Sequence, residues 1–430
     1  MRREAKAAAK LSDVIADYAE LGFREFKSSR AIAQYLAERG FRVEFPWKHL
    51  PTAFQATAGA GKPTIGILAE YDALPNCGLR EGTPGHGCGH NLFGAGSAVA
   101  AVAAARILED DGISGRIVLW GCPAEEPIAG KPFMARDGAF RNQNVVLSWH
   151  PGGDNQVRRK GGSAVDSVLF EFFGRTAHGA YPVPGRSALD AVMIMDVAVN
   201  YLREHLPDNV RIHMCIPDGG DAPNVVPAYA SAHYYVRGRN RAEVDRLRKR
   251  VIACAKAGAM ATETKLKVTR LAGAYDRLPN EALSDVTQAN FDLFGPPRPT
   301  PADRRRVKAL GKTPKFAEKI SPPRTVAGFA SSDEANVSWM APMSVFSSAC
   351  HSKGISAHHR DLTAQMKLPF AHKGMLRGAE ILAATAVDLC GDRKLLARVR
   401  AEFRKRTKGF KYDPLIPARP KRPHRLLTGE

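Results

Sequence analysis

At 430 residues the chain is long enough for two domains, each able to bury its own core. Its 44% hydrophobic and 25% charged residues exclude a disordered or fibrous protein. No apolar run reads as long enough to span a bilayer, and no signal-type hydrophobic core follows the basic start, so a cytoplasmic protein without a membrane partner is expected. The net charge of +20 raises the question of nucleic acid. Much of the excess lies in Arg304-Arg305-Arg306 and in a tail from Arg398 to Arg425, without interleaved aromatics or a nucleic-acid motif. A small anionic substrate is therefore the preferred partner. Seven scattered cysteines, odd in number and without a CxxC pair, argue against a disulfide framework or zinc finger and fit a reducing compartment.

In chain order, residues 12–39 read as helices: apolar positions recur at helical spacing through Ile32, Tyr35 and Leu36, and Gly40 supplies a stop. Residues 64–69 form a short apolar run of the buried-strand type. Gly85-His86-Gly87-Cys88-Gly89-His90-Asn91 then packs a thiol and two imidazoles into seven residues on backbone free to bend. Residues 91–108, rich in alanine and glycine, read as a helix packed closely on a sheet, and 117–120 and 145–148 as two more buried strands. Each strand runs directly into chemistry-bearing residues: Glu70-Tyr71-Asp72, Pro123-Ala124-Glu125-Glu126 and Trp149-His150-Pro151. Active sites of open α/β sheets lie at the carboxyl ends of strands, so the placement agrees with the chemistry.

Past His150 the pattern changes. Residues 163–173 alternate like a strand with one wet face, 187–205 form an amphipathic helix, and 211–216 and 230–236 read as strands. A helix over 242–261 and a strand over 264–271 complete a β-α-β-β-α-β order, which predicts a ferredoxin-like unit inserted at 161–274. A linker rich in proline and charge is expected over 294–324, then a long helix opening at His372 and ending near Cys390. The expected fold class is α/β, with a discontinuous catalytic domain (1–160 and 275–430) carrying an inserted lid.

These segments supply a soft thiolate, several imidazoles and paired carboxylates. A divalent ion lowers the pKa of water toward neutrality, and a nearby carboxylate can take the proton and return it to a leaving nitrogen. Adjacent Glu125 and Glu126 suit that division of labour, one ligating and one reaching the water. A cysteine ligand favours zinc or another borderline-soft transition ion over magnesium or calcium. His86 reads as a loop residue and Cys122 as packing.

The segments quoted above, with Gly130-Lys131, Gly185-Arg186-Ser187, Pro223-Asn224-Val225-Val226-Pro227 and His372-Lys373-Gly374-Met375, resemble the aminoacylase and hippurate hydrolase family of metallopeptidases. Within it they are most like the aminobenzoyl-glutamate hydrolase branch, and the resemblance runs in order from residue 13 to residue 390. It implies a two-domain metallopeptidase fold whose lid forms a homodimer. It also implies Cys88, His90, Glu126, His150 and His372 as metal ligands, Glu125 as general base, and Asp72 as support for a ligand imidazole. The cofactor implied is one or two divalent transition ions, zinc or manganese. His178 and Asn224 match the family's substrate-facing pair, which reaches across a dimer. Arg237, ending a strand, is a further carboxylate candidate.

Three departures surround this site. Pro127-Ile128 stand where the branch has a glycine pair. Asn336 removes a negative charge from the run Asp333-Glu334-Ala335-Asn336. Ser356-Ala357-His358-His359-Arg360 replaces a segment of the type small-His-Ser/Thr-Trp. The expectation drawn is retained chemistry on a changed substrate: hydrolytic deamination of 5-nitroanthranilate to 5-nitrosalicylate and ammonia. The nitro group would accept the ring's negative charge, and His358, His359 or Arg360 would hold the nitro or carboxylate group. The alternative is amide hydrolysis of aminobenzoyl-glutamate or another N-acyl amino acid. Both readings take a small anionic aromatic acid. A regulatory protein on the same fold is disfavoured because Glu125 and His150 are both present.

Overall fold

Helices α1 (Ala5–Tyr18) and α2 (Phe26–Ala37) form where apolar side chains return every third or fourth residue, and they bury Leu11, Ile15, Ile32 and Leu36 in one core. The coordinates are a computed structural model, which describes residues 2–326 and 328–417. Strands β1 (Arg42–Glu44), β2 (Phe54–Ala60) and β3 (Thr64–Glu70) follow, then helix α3 (His90–Asp110), strand β4 (Gly115–Cys122), helix α4 (Gly130–Arg136) and strands β5 (Val145–Gly152) and β6 (Gln156–Val157).

The chain then leaves for a second unit: β7 (Ala164–Phe173), α5 (Ala188–Arg203), β8 (Arg211–Asp218), β9 (Tyr229–Gly238), α6 (Arg241–Ala261) and β10 (Lys265–Ala274). Its four strands form an antiparallel sheet in the order β10-β7-β9-β8, the ferredoxin-like arrangement, with a core of its own around Phe170, Val192, Tyr234 and Val251.

On its return the chain forms α7 (Glu281–Phe294), α8 (Pro301–Ala309), α9 (Glu334–Ser338), β11 (Met343–Ala349), α10 (Arg360–Thr363), α11 (Pro369–Gly391) and α12 (Arg393–Arg406). The stretch expected as a linker thus contains a helix. Thr300 and Asp303 form a capping box with Pro301 in the first turn, and Arg304-Arg305-Arg306 lies on that helix. The end of the basic tail, residues 418–430, lies outside the described residues.

Strand β11 inserts between β5 and β6 and completes a seven-stranded sheet, β1-β2-β4-β3-β5-β11-β6. Its four central strands, β4, β3, β5 and β11, run parallel, so their carboxyl ends share one edge. β11 is buried along its whole length, as parallel strands covered on both faces must be.

Helix α3 corrects one expectation. By length and composition it is apolar enough to cross a bilayer, yet all but its last turns are buried between the sheet and α1, α2 and α11. A helix enclosed on every side is apolar all round, which accounts for its hydropathy. Its glycines set the distance to the sheet. A Cβ on Gly96 would lie 2.7 Å from the Trp149 ring and one on Gly378 of α11 2.6 Å, so both helices close on that buried ring only as glycines.

Candidate metal centre

The parallel edge gathers the predicted donors. Asp72, two residues past β3, is buried; its Oδ1 accepts from His90 Nδ1 at 2.8 Å and its Oδ2 from the Glu126 backbone N–H at 2.9 Å. Burial opposes its charge, but the His90 charge and hydrogen bond hold its carboxyl below the ordinary range. This contact assigns the His90 proton to Nδ1 and leaves Nε2 buried without a hydrogen-bond partner. His150 is set the same way: Nδ1 meets the Pro151 carbonyl at 2.7 Å, and Nε2 lies 3.4 Å from Cys88 Sγ. Gly89, at φ +82°, makes the bend between Cys88 and the first residue of α3.

The two glutamates diverge because their loop is pinned. The Ala124 N–H donates to buried Glu25 at 2.7 Å and the Glu126 N–H to Asp72. Glu125 Oε2 lies 3.9 Å from His90 Nε2, whereas Glu126 Oε2 lies 3.5 Å from His358 Nε2. Ala124, Ile128 and His358 all have positive φ, at 54°, 61° and 59°. For β-branched Ile128 that conformation stores roughly 1–3 kcal/mol of strain at the site. Ile128 packs against Val165, Ala274 and Tyr235 of the inserted unit, which holds it there.

Among the described residues three donor triads result, each with its atoms within 4.8 Å of one another: Cys88, His90 and His150; Cys88, Glu126 and His358; Glu70, His90 and Glu125. The first two share Cys88. Burial and neighbouring carboxylates push Glu126 up to about 7 and Glu125 well above the ordinary range, and burial pushes the Cys88 thiol up to about 12. Buried acids in excess of nearby cations, with His90 Nε2 and Glu126 Oε1 left without partners, form a donor set that fits a divalent transition ion.

Not every predicted residue arrives. His372 stands one turn inside α11, its Nε2 2.9 Å from Asp13 Oδ1, and belongs to none of the triads. His358, expected only as a substrate holder, joins a donor triad, placed there by its backbone N–H, which is tied to the Gly87 carbonyl at 2.8 Å. His359 is exposed and caps α10 by accepting from the Asp361 N–H, and exposed Arg360 begins that helix; neither lines the pocket over the centre. His178 and Asn224 sit together, joined through the Gly179 N–H to the Asn224 carbonyl, exposed and outside this pocket in the single chain. Arg237 does line the pocket, its guanidinium 5.5 Å from the Tyr235 ring centre. His86 is a core residue, its Nε2 3.1 Å from the Ile15 carbonyl, and burial lowers it to about 4.

Sequence reasoning quoted Glu70, Lys131, Asp333 and Glu334 without assigning them a role, and it passed over Arg158 and Arg277. Glu70 meets buried Lys131 at 2.7 Å, and Lys131 meets Asp333 at 2.5 Å. Glu334 accepts from Arg277 at 2.7 Å and from Ser148 at 3.0 Å. Arg158 lines the same pocket. Nothing in local sequence sets these arginines apart from the chain's other basic residues, because what distinguishes them is where the inserted unit joins the sheet.

A parallel sheet that brings such donors to its carboxyl edge beneath an inserted ferredoxin-like lid has the architecture of a peptidase-type metallohydrolase. Residues 159–263 match the peptidase dimerisation domain family. The chain is similar to one component of the p-aminobenzoyl-glutamate hydrolase of Escherichia coli, at 33% identity over 95% of this chain and 94% of that one. It is also similar to the Xaa-Arg dipeptidase of Mus musculus, at 30% identity over 83% and 78%. The fold matches the crystal structure of the Bacillus subtilis YXEP protein, a dinuclear metal-binding peptidase of the M20 family, with TM-score 0.56 and 16% identity over 91% and 99%. The chain belongs to the M20 family of metallopeptidases and is a hydrolase of carbon–nitrogen bonds. The expected ring deamination, the reaction of a 5-nitroanthranilic acid aminohydrolase, draws no support from these relatives, whose names specify amide or peptide bonds.

Proposed function

We propose that the protein hydrolyses the amide bond of an N-acyl or N-aroyl amino acid, releasing the acid and the free amino acid. The observation that carries this reading is the pinned Glu125–Glu126 loop, which sends one carboxylate toward Cys88 and His358 and leaves the other beside His90, facing the pocket. We assign Cys88, His90, Glu126, His150 and His358 as ligands to one or two divalent transition ions, zinc or manganese. When bound, such an ion supplies Lewis acidity, lowering the pKa of water and polarising the scissile carbonyl. Asp72 holds the His90 ring and tautomer. Glu125 takes the proton from the attacking water and delivers it to the leaving nitrogen. Arg237 orients the substrate carboxylate.

The name of the Escherichia coli relative makes aminobenzoyl-glutamate the first substrate to test. We further propose a homodimer through residues 161–274, with His178 and Asn224 completing the partner's pocket, and a cytoplasmic location consistent with seven free cysteines. In the test, purified metal-loaded protein is incubated with aminobenzoyl-glutamate and with N-benzoyl amino acids, and products are followed by mass. Glu125→Gln is expected to lower turnover by about 10²–10⁴-fold while metal content stays unchanged. Ammonia release from 5-nitroanthranilate without cleavage of any amide would replace this reading with ring deamination.

A further inference from the structure

The two segments that join the inserted unit to the sheet each bring an arginine to the pocket. Arg158 directly follows β6, and Arg277 lies three residues past β10. The segments run side by side, since a Cβ on Gly161 would lie 2.1 Å from Arg277 Cβ. Among the described residues Arg158 makes no ion pair, although it faces the centre's pocket. The Arg277 side chain is 8% exposed; one nitrogen meets Glu334, while its Nε and Nη1 are buried without hydrogen-bond partners.

The pocket's own acids are otherwise engaged. Glu70 is paired with Lys131, Glu334 with Arg277 and Ser148, and Glu125 and Glu126 serve the metal centre. Arg237, near the end of β9 and paired in register with Val165, already offers one carboxylate a partner. Guanidinium donors in excess of internal acceptors are costly to bury unless a ligand satisfies them. Their planar fork matches a planar group with two acceptor oxygens.

We infer that Arg158 and Arg277 form a subsite for a second planar two-oxygen group of the substrate, a carboxylate or its nitro isostere, distinct from the group held by Arg237. Resting on the amide reading, this makes the substrate class an N-acyl amino acid with two acidic groups. The binding test needs no turnover, so the two readings fail separately. Glutarate, 4-nitrobutyrate and pentanoate form a matched series, and their binding to the metal-loaded protein is read by calorimetry.

The wild type is expected to bind glutarate at least tenfold more tightly than pentanoate. Arg158→Ala is expected to erase that preference while leaving pentanoate affinity within twofold. Arg158→Lys, which keeps the charge and loses the fork, is expected to fall between them, and circular dichroism establishes that both variants fold. A nitro compound binding like glutarate assigns the subsite to the planar shape, and one binding like pentanoate assigns it to the charge. Absence of a preference in the wild type, or its full retention in Arg158→Ala, overturns the subsite. If amides are cleaved, Arg158→Ala should raise KM for benzoyl-glutamate at least tenfold with kcat little changed, and leave benzoyl-norvaline unaffected.

Discussion

At the scale of single residues, two histidines exchange places. His372 opens the right helix in the right motif, but its imidazole is spent on Asp13. His358 comes from an irregular segment in the left-handed region, and its ring reaches Glu126. His358→Ala is therefore expected to lower metal occupancy and turnover together, whereas His372→Ala should retain the metal and lose only the contact that ties α11 to α1. Metal analysis of the two dialysed variants decides it; depletion in His372→Ala with full occupancy in His358→Ala would reverse the assignment. Cys88, His90 and the two glutamates were legible in sequence because each follows a buried strand directly or sits in the glycine-rich heptad. His358 was not, because its position depends on a backbone bond to Gly87, a contact that no local pattern encodes.

At the scale of elements, the site is held by a charge buried among three of them. Lys131 on α4 bonds Glu70 at the end of β3 and Asp333 at the start of α9, and its own backbone N–H also donates to Asp333 at 2.8 Å. Removing one partner of a buried ion network strands the others, at roughly 3–5 kcal/mol. Lys131→Met should lose that much stability in urea denaturation, and a loss under about 1 kcal/mol would mean the carboxylates simply take up protons. The strands on either side of the donor segments, helix α3 and the long helix α11 were readable from hydrophobic period, and the lid's β-α-β-β-α-β order needed nothing more. Elements not anticipated include β1, β2, α4, α7 and α12; the two most telling are β11 and α8. The first is a short apolar run that periodicity alone does not separate from a buried helix segment, and the second hides a capping box in a proline-rich stretch.

At the scale of the whole molecule, the pocket of one chain lacks two residues that the resemblance places beside the substrate. His178 and Asn224 are exposed at a distance from it, while Met193, Val197 and Tyr201 line up at helical spacing on the exposed face of α5. The dimer proposed through the lid would account for both observations, covering the stripe and carrying His178 to the partner's centre. Complementation tests this directly. Glu125→Gln and His178→Ala should each be inactive alone. In a heterodimer of the two, one site combines the intact Glu125 of one chain with the intact His178 of the other. Random reassociation gives half heterodimers, each with one working site of two, so an equimolar mixture should regain about a quarter of wild-type activity. Activity that stays at the level of the separate variants, after exchange has been verified by mass, would mean that each chain completes its own pocket.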